Sequence, residues 1–315
     1  MRKQCLMNNL TLNIANIKLD TAYRNIVSIP DPFSAFRAKT NNPDKNIWHL
    51  ESCGMYKKDK LKGKDLAACK KKIGSIRERF ESVNSKLSDW KEKGYNLARL
   101  PSYYAPGLHR ISFYLNDPVK IDFKKRQIKH FYLRNGAVKR LGDLDFRLIS
   151  FAYSQILASQ EGMLVHCACV VRNKKAYLFF AKAGGGKTTV AKLSKKYCVL
   201  GDDIIAVRRK KNGFIAFPTP WRQKKFINPS PKTYAPVKAV FFLHKSKNIY
   251  FKPLAAQEAL MRLISRCIHF FLYTENEQAK KVFLTATDFF KKVPSYDMYF
   301  RKRENFWPAL ERIIK

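Results

Sequence analysis

The apolar stretch Ala176-Tyr177-Leu178-Phe179-Phe180 runs directly into Ala181-Lys182-Ala183-Gly184-Gly185-Gly186-Lys187-Thr188-Thr189, and a helix-like segment, Val190 to Lys195, follows. This succession constrains the fold more than any other feature of the chain. An apolar strand delivering a glycine loop into a helix is the setting in which such a loop can cradle phosphate. Three consecutive glycines let backbone N–H groups converge on one point, and the following helix adds its positive end. Lys187 supplies a mobile charge, and a threonine directly after it can coordinate the Mg²⁺ of a nucleotide. Gly186, Lys187 and Thr188 satisfy the pattern G-x-x-x-x-G-K-[ST], with Ala181 standing where its first glycine is usual. The reading is a cradle for a nucleoside triphosphate formed by Ala183, Gly184, Gly185, Gly186, Lys187, Thr188 and Thr189. An ordinary glycine-rich turn is the alternative.

Asp202 and Asp203 end a short apolar strand, Tyr197 to Leu200, one helix beyond the loop. Carboxylates there can reach the loop mouth, where one can hold Mg²⁺ and another can accept a proton from an incoming hydroxyl. A turn after a strand is the plainer reading of the same pair. His166 opens the strand before the loop; a lone histidine on an apolar strand is usually a satisfied core group. The cluster His166-Cys167-Ala168-Cys169 also raises zinc. On a strand, however, the two cysteines face one way and the histidine the other, so buried thiols are expected.

The chain carries 62 basic against 24 acidic residues, a formal charge of +38 spread along its length. Such a surface attracts nucleic acid, anionic membrane or an acidic protein or peptide. No nucleic-acid module is legible, so nucleic acid is not expected as a partner, and an acidic peptide or small protein is. Charge alone would suggest a nucleic-acid-dependent ATPase. No apolar run approaches the ~20 residues of a bilayer span, so no transmembrane segment is expected. The opening MRKQCLMNNLTLN is interrupted by polar residues and is not expected to be a signal peptide. Seven irregularly spaced cysteines are expected as free thiols in the cytoplasm.

Along the chain, Leu10, Leu12 and Ile14 alternate as in a strand, and Ile47 to Leu50 suggests another. From Asp65 to Lys93 apolar residues recur at alternating spacings of three and four from Leu66 to Trp90. This predicts a long basic amphipathic helix, packed on its own domain or forming a dimer seam, so a homo-oligomer stays open. Strands are expected at Ile111 to Leu115 and Phe131 to Leu133, with a turn at Asn135-Gly136. A helix capped by Asp143 is expected to reach Ser159, ahead of a strand Met163 to Val171. Strands Ile204 to Val207 and Phe214 to Phe217 flank the Asn212-Gly213 turn. Strands Val237 to Leu243 and Ile249 to Lys252 precede helices near Ala255 to Ile264 and Gln278 to Phe290. Strand Asp297 to Phe300 and helix Phe306 to Ile314 complete the reading. Residues 1–140 then form an N-terminal α+β region with its helix at about 65–93, and residues 141–315 a nucleotide-binding domain.

Taken together, VHCACVVRNKKAYLFFAKAGGGKTTVAKL and VLGDDIIAV resemble the catalytic domain of HPr kinase/phosphorylase and its relatives. The match lies in the histidine, the loop at Gly184, Gly186, Lys187 and Thr188, and the pair Asp202-Asp203. PTPW (Pro218 to Trp221) and VPSYDMYF are similar to the smaller HPr-kinase-like proteins of peptide-modification cassettes, including the SynChlorMet type. The likeness covers Phe146 to Ile314 well and the front loosely; Ala181 and Ala183 replace the family's Gly and Ser.

The resemblance implies an α/β fold, a phosphoenolpyruvate-carboxykinase-like P-loop domain with a mixed sheet, using ATP and Mg²⁺. It implies transfer of the γ-phosphoryl group to a serine or threonine hydroxyl of a peptide or small protein. Lys187 would neutralise the β- and γ-phosphates, and Thr188 and Asp203 would bind Mg²⁺. Asp202 would act as base, with His166 orienting it, and Arg222 is a further candidate for holding substrate. The glycine-rich signature of true HPr kinase is absent, so phosphorolysis and the HPr substrate are not implied. A nucleotide-binding interaction protein, or an ATPase without phosphotransfer, is the alternative.

Overall fold

The computed structural model describes residues 7–24, 47–55, 119–133, 142–221, 227, 229–230, 232–266, 276–302 and 304–314. The heptad-spaced segment at 65–93, the strand expected at Ile111 to Leu115, the Asn135-Gly136 turn and Arg222 lie outside the described residues. The described residues fall into two compact units. One holds residues up to Ala152 apart from 13–17, and the other holds 13–17 and everything from Tyr153 onward.

A five-stranded sheet comprises β1 (Met7–Ile14), β2 (Ile17–Arg24), β3 (Trp48–Met55), β4 (Val119–Asp122) and β5 (Gln127–Leu133). Its order is β1-β2-β3-β5-β4. Ala15 and Asn16 join β1 to β2 with φ of 54° and 61°, the left-handed pair that a two-residue hairpin turn requires. Strands β2 and β4 were not expected: IKLDTAYR and VKID carry too few apolar alternations to stand out from their polar neighbours.

Helix α1 (Gly142–Ser159) comes next, as its Asp143-to-Ser159 pattern predicts. Gly162 opens β6 (Gly162–Arg172), and β7 (Lys175–Phe180) returns antiparallel beside it. The turn between them holds Asn173 and Lys174 at φ of 49° and 60°. Helix α2 (Lys187–Leu193) follows the glycine loop. It begins at Lys187 rather than at Val190, because its first turn is polar and contributes nothing to the apolar periodicity.

The remaining strands are β8 (Cys198–Gly201), β9 (Ile204–Lys210), β10 (Gly213–Phe217), β11 (Ala235–Lys245), β12 (Tyr250–Leu254) and β13 (Ser295–Phe300). With them stand α3 (Ala256–Arg266), α4 (Asn276–Lys292) and α5 (Trp307–Ile313). The result is a mixed α/β fold on an eight-stranded sheet ordered β10-β9-β6-β7-β11-β13-β12, with β8 on the edge of β6. β7, β11 and β13 run parallel at its centre. The sheet curls far enough for β10 to pair with the start of β11 through Ala216 and Ala235.

Strand alternation sorts the core between the two faces. Cys167, Cys169, Leu178, Phe180, Val240 and Phe242 pack under Ala259 and Leu263 of α3 and Phe289 of α4. The alternate residues Ala168, Phe179, Phe241 and Met298 pack under Val190 and Ala191 of α2 and Trp307 and Leu310 of α5. Phe179 stacks on Phe241 at 5.2 Å between centroids and meets the edge of Phe306. Burying each such ring contributes roughly 1.5–3 kcal/mol. Cys167 and Cys169 are buried, as expected of core thiols, and burial pushes the Cys169 thiol well up. No described helix is long and apolar enough to cross a membrane.

Candidate active site

The loop leaves the carboxyl end of β7, the edge at which ligands collect in open α/β sheets. Its conformation depends on glycine at two places. Gly184 has φ of 70° with nothing within 4 Å of where a Cβ would stand, while Ala183 and Gly184 are exposed. Gly186 has φ of 113°, and a Cβ there would come within 2.6 Å of Cζ of Phe300. Phe300, buried at the end of β13, is therefore a floor for the loop. Lys187 is buried at the start of α2, and its ammonium donates to the carbonyl of Ala181 at 2.8 Å, drawing the two ends of the loop together. Gly185, Thr188 and Thr189 are half-buried.

The acidic pair sits where a ladder breaks. β6 pairs with β9 from Gly162↔Arg208 to His166↔Ile204, then with β8 from Cys169↔Gly201 onward. Asp202 and Asp203 fill the gap between the two strands, held by the amide of Cys167 donating to the carbonyl of Asp203 at 2.9 Å. Gly201 suits this corner, since a Cβ would lie 2.9 Å from the Ile205 side chain.

The two carboxylates have different surroundings. Asp202 is only 1% exposed and accepts a hydrogen bond at 2.9 Å from the hydroxyl of Thr188. A buried carboxylate needs such donors, because desolvation without them is costly. The Asp203 side chain is about a quarter exposed and meets Nε2 of His166 at 2.9 Å. The resemblance implies Thr188 with Asp203 and His166 with Asp202; the contacts run Thr188 to Asp202 and His166 to Asp203. Lys187, Thr188, Asp202, Asp203 and His166 are thus linked through neighbouring residues and two side-chain contacts.

Among the described residues, no group of three or more His, Cys, Asp or Glu side chains could hold a metal ion. The oxygen set of Thr188 and Asp202 has a different chemistry. One hydroxyl and one carboxylate beside a glycine loop fit Mg²⁺, which keeps several waters and takes its other ligands from substrate phosphates.

Long-range packing supports α2 from below. Trp307, fully buried, donates its indole N–H to Oγ of Ser194 at 3.0 Å, just beyond the end of that helix. The Arg172 guanidinium lies over Tyr197 at 4.7 Å and over Trp307 at 5.3 Å, and pairs with Glu311 of α5. Sequence reasoning did not find Phe300, Ser194 or Trp307 as supports. Phe300 and Trp307 each lie more than a hundred residues from the glycine or serine they contact, with no local pattern to mark either. The structure also places Pro218 to Trp221 beside the site: the Thr219 hydroxyl donates to the carbonyl of Ile204, and the amide of Ile204 donates to the carbonyl of Trp221.

No curated protein matches the chain. Among solved structures, one match is the HPr(Ser) kinase/phosphatase from Coxiella burnetii, at 11% identity over 48% of this chain and 92% of that one. Its TM-score is 0.25, and the likeness carries no argument about fold or reaction. The model of the family described as SynChlorMet cassette protein ScmC matches residues 146–315, the whole stretch that holds the loop, the acidic pair and their supports. The chain belongs to the SynChlorMet cassette protein ScmC family.

Proposed function

We propose that this protein is an ATP-dependent, HPr-kinase-like phosphotransferase that moves a γ-phosphoryl group to a serine or threonine hydroxyl of a peptide or small protein. The fold reading that accompanies it is a phosphoenolpyruvate-carboxykinase-like P-loop domain. The observation that supports it is the division of labour between two adjacent carboxylates, one bonded to the loop threonine and one to a histidine.

Backbone N–H groups from Ala183 to Thr189 and the Lys187 ammonium bind and neutralise the triphosphate tail. For this, Lys187 exchanges the Ala181 carbonyl for phosphate oxygens. Thr188 and Asp202 hold Mg²⁺, which supplies charge neutralisation at the β- and γ-phosphates. Asp203, the more accessible carboxylate, accepts the proton of the acceptor hydroxyl, and His166 orients it through the Nε2 contact. These roles exchange the two aspartates relative to the resemblance-based expectation, because the buried group already faces the loop. Phosphoryl transfer asks mainly for positioning and electrostatic stabilisation, so this short set of residues is chemically sufficient.

The test is incubation of the purified chain with γ-labelled ATP, Mg²⁺ and peptides encoded beside its gene. Label should appear on a peptide hydroxyl. ATP binding without transfer to any of them would favour a nucleotide-binding protein that performs no phosphotransfer.

A further inference from the structure

The parallel strands β11 and β13 end on the same sheet edge as the glycine loop, and their exits enclose a second feature. A polar hollow of about 440 Å³ lies there, lined by Lys247 and Asn248 after β11 and by Arg301, Glu304 and Asn305 after β13, with Arg312 from α5. The two exits are tied together by the Ser246 amide donating to the Phe300 carbonyl at 3.1 Å. Arg301 directly follows Phe300, the residue that floors the loop under Gly186.

The arginines of this hollow differ from others in the same unit. Arg172, Arg208, Arg209 and Arg262 are each engaged by carboxylate, carbonyl or amide oxygens. Arg301 and Arg312 make no ion pair among the described residues, and neither does Lys247. With Glu304 as the sole acid in the lining, three cations against one leave a net of two positive charges. Exposed arginines around a concavity with no ion pair among the described residues suit carboxylate recognition, since guanidinium forks match a carboxylate's two oxygens.

We propose that this hollow binds carboxylate side chains of the peptide phosphoryl acceptor, and so selects peptides with an acidic stretch near the reacting hydroxyl. The inference rests on the phosphotransferase reading and deepens it. Three strand spacings separate β6, whose His166 meets Asp203, from β13, about 14 Å. An extended peptide covers that in about four residues. An acidic stretch should therefore stand about four residues from the serine or threonine.

The probe is a fluorescein-labelled peptide of four glutamates, two glycines and a serine, titrated into the full chain by anisotropy. A fluorescent ATP analogue is titrated in parallel. The R301E/R312E variant is compared with K210E/K211E, which removes the same charge from the exposed β9–β10 turn. R301Q/R312Q serves as the milder pair. The expected result is a loss of peptide affinity of about tenfold or more in R301E/R312E, a smaller loss in R301Q/R312Q, and less than about threefold in K210E/K211E, where only distant screened charge is lost. Equal losses in the hollow and turn variants would overturn the inference, since the attraction would then be general. So would an absence of peptide binding by the native chain. A native chain that binds this peptide in the hollow but not the ATP analogue would instead remove the phosphotransferase reading while leaving an acidic-peptide site.

Discussion

The hydroxyl of Thr188 donates to Oδ2 of Asp202 at 2.9 Å, joining the first turn of the loop helix to the break between β8 and β9. That bond couples the glycine loop to the acidic pair across 14 residues of chain. It also gives the bond two measurable consequences, one for stability and one for nucleotide.

Thr188→Val keeps the shape of the side chain and removes the donor from a buried carboxylate. Loss of one such partner costs about 1–3 kcal/mol. Urea unfolding should show that decrease, and Thr188→Ser should recover most of it. In the nucleotide assay, the valine variant should lose Mg²⁺-dependent binding while the serine variant keeps it.

Gly186→Ala meets two obstacles, a φ of 113° and the ring of Phe300 at 2.6 Å. Backbone strain of this kind costs on the order of 1–3 kcal/mol. A lowered Tm is expected. Adding Phe300→Leu should return only part of it, because the dihedral strain stays. Full recovery in the double variant would show that the contact alone mattered.

Trp307→Phe deletes the indole donor to Ser194 and weakens the seat of the Arg172 guanidinium. Because Ser194 is fully buried, the expected loss is about 1–3 kcal/mol in chemical denaturation. Nucleotide affinity should fall with it, since α2 carries Lys187 and Thr188. A loss of stability at unchanged affinity would separate the buttress from the site.

Asp297 gives a pH signature. Burial works to raise its carboxyl, but hydrogen bonds from His244 and Arg262 and the charge of Arg262 outweigh burial and hold it below 3.8. A carboxyl depressed in the folded state adds stability above its unfolded value and loses it as pH falls through the folded one. Asp297→Asn should therefore be less stable than the native chain at pH 6, with the gap closing as pH drops below about 3.8. Parallel stability curves for the two proteins across that window would contradict this assignment.

How much of this was open to reading from the sequence follows from the range of each interaction. The α1–β6–β7–loop succession was legible because Phe151, Ile156, Val165 to Val170 and Tyr177 to Phe180 carry their period locally. The late strands and helices were legible for the same reason, though their ends moved: β13 starts at Ser295, two residues before the expected Asp297. Gly186, Lys187, Thr188, Asp202, Asp203 and His166 stand out in the sequence by type and spacing, but which of them meet does not. Which aspartate faces Thr188 depends on where β8 leaves β6 and β9 rejoins it, and VLGDDII alone does not fix that register. Phe300 under Gly186, and Trp307 beside Ser194, are contacts across more than a hundred residues. Nothing in a local window marks either.

The proposed function requires a triphosphate held by the loop and the Thr188–Asp202 pair. Titration of a fluorescent ATP analogue into the native chain, with Mg²⁺ and then with excess chelator, tests this most directly, run beside Lys187→Ala and Asp202→Asn. Saturable binding is predicted, weakened by the chelator and reduced about tenfold or more in both variants, as expected for lost charge-assisted contacts. A native chain that binds no nucleotide, or variants that bind as tightly as the native chain, would contradict it.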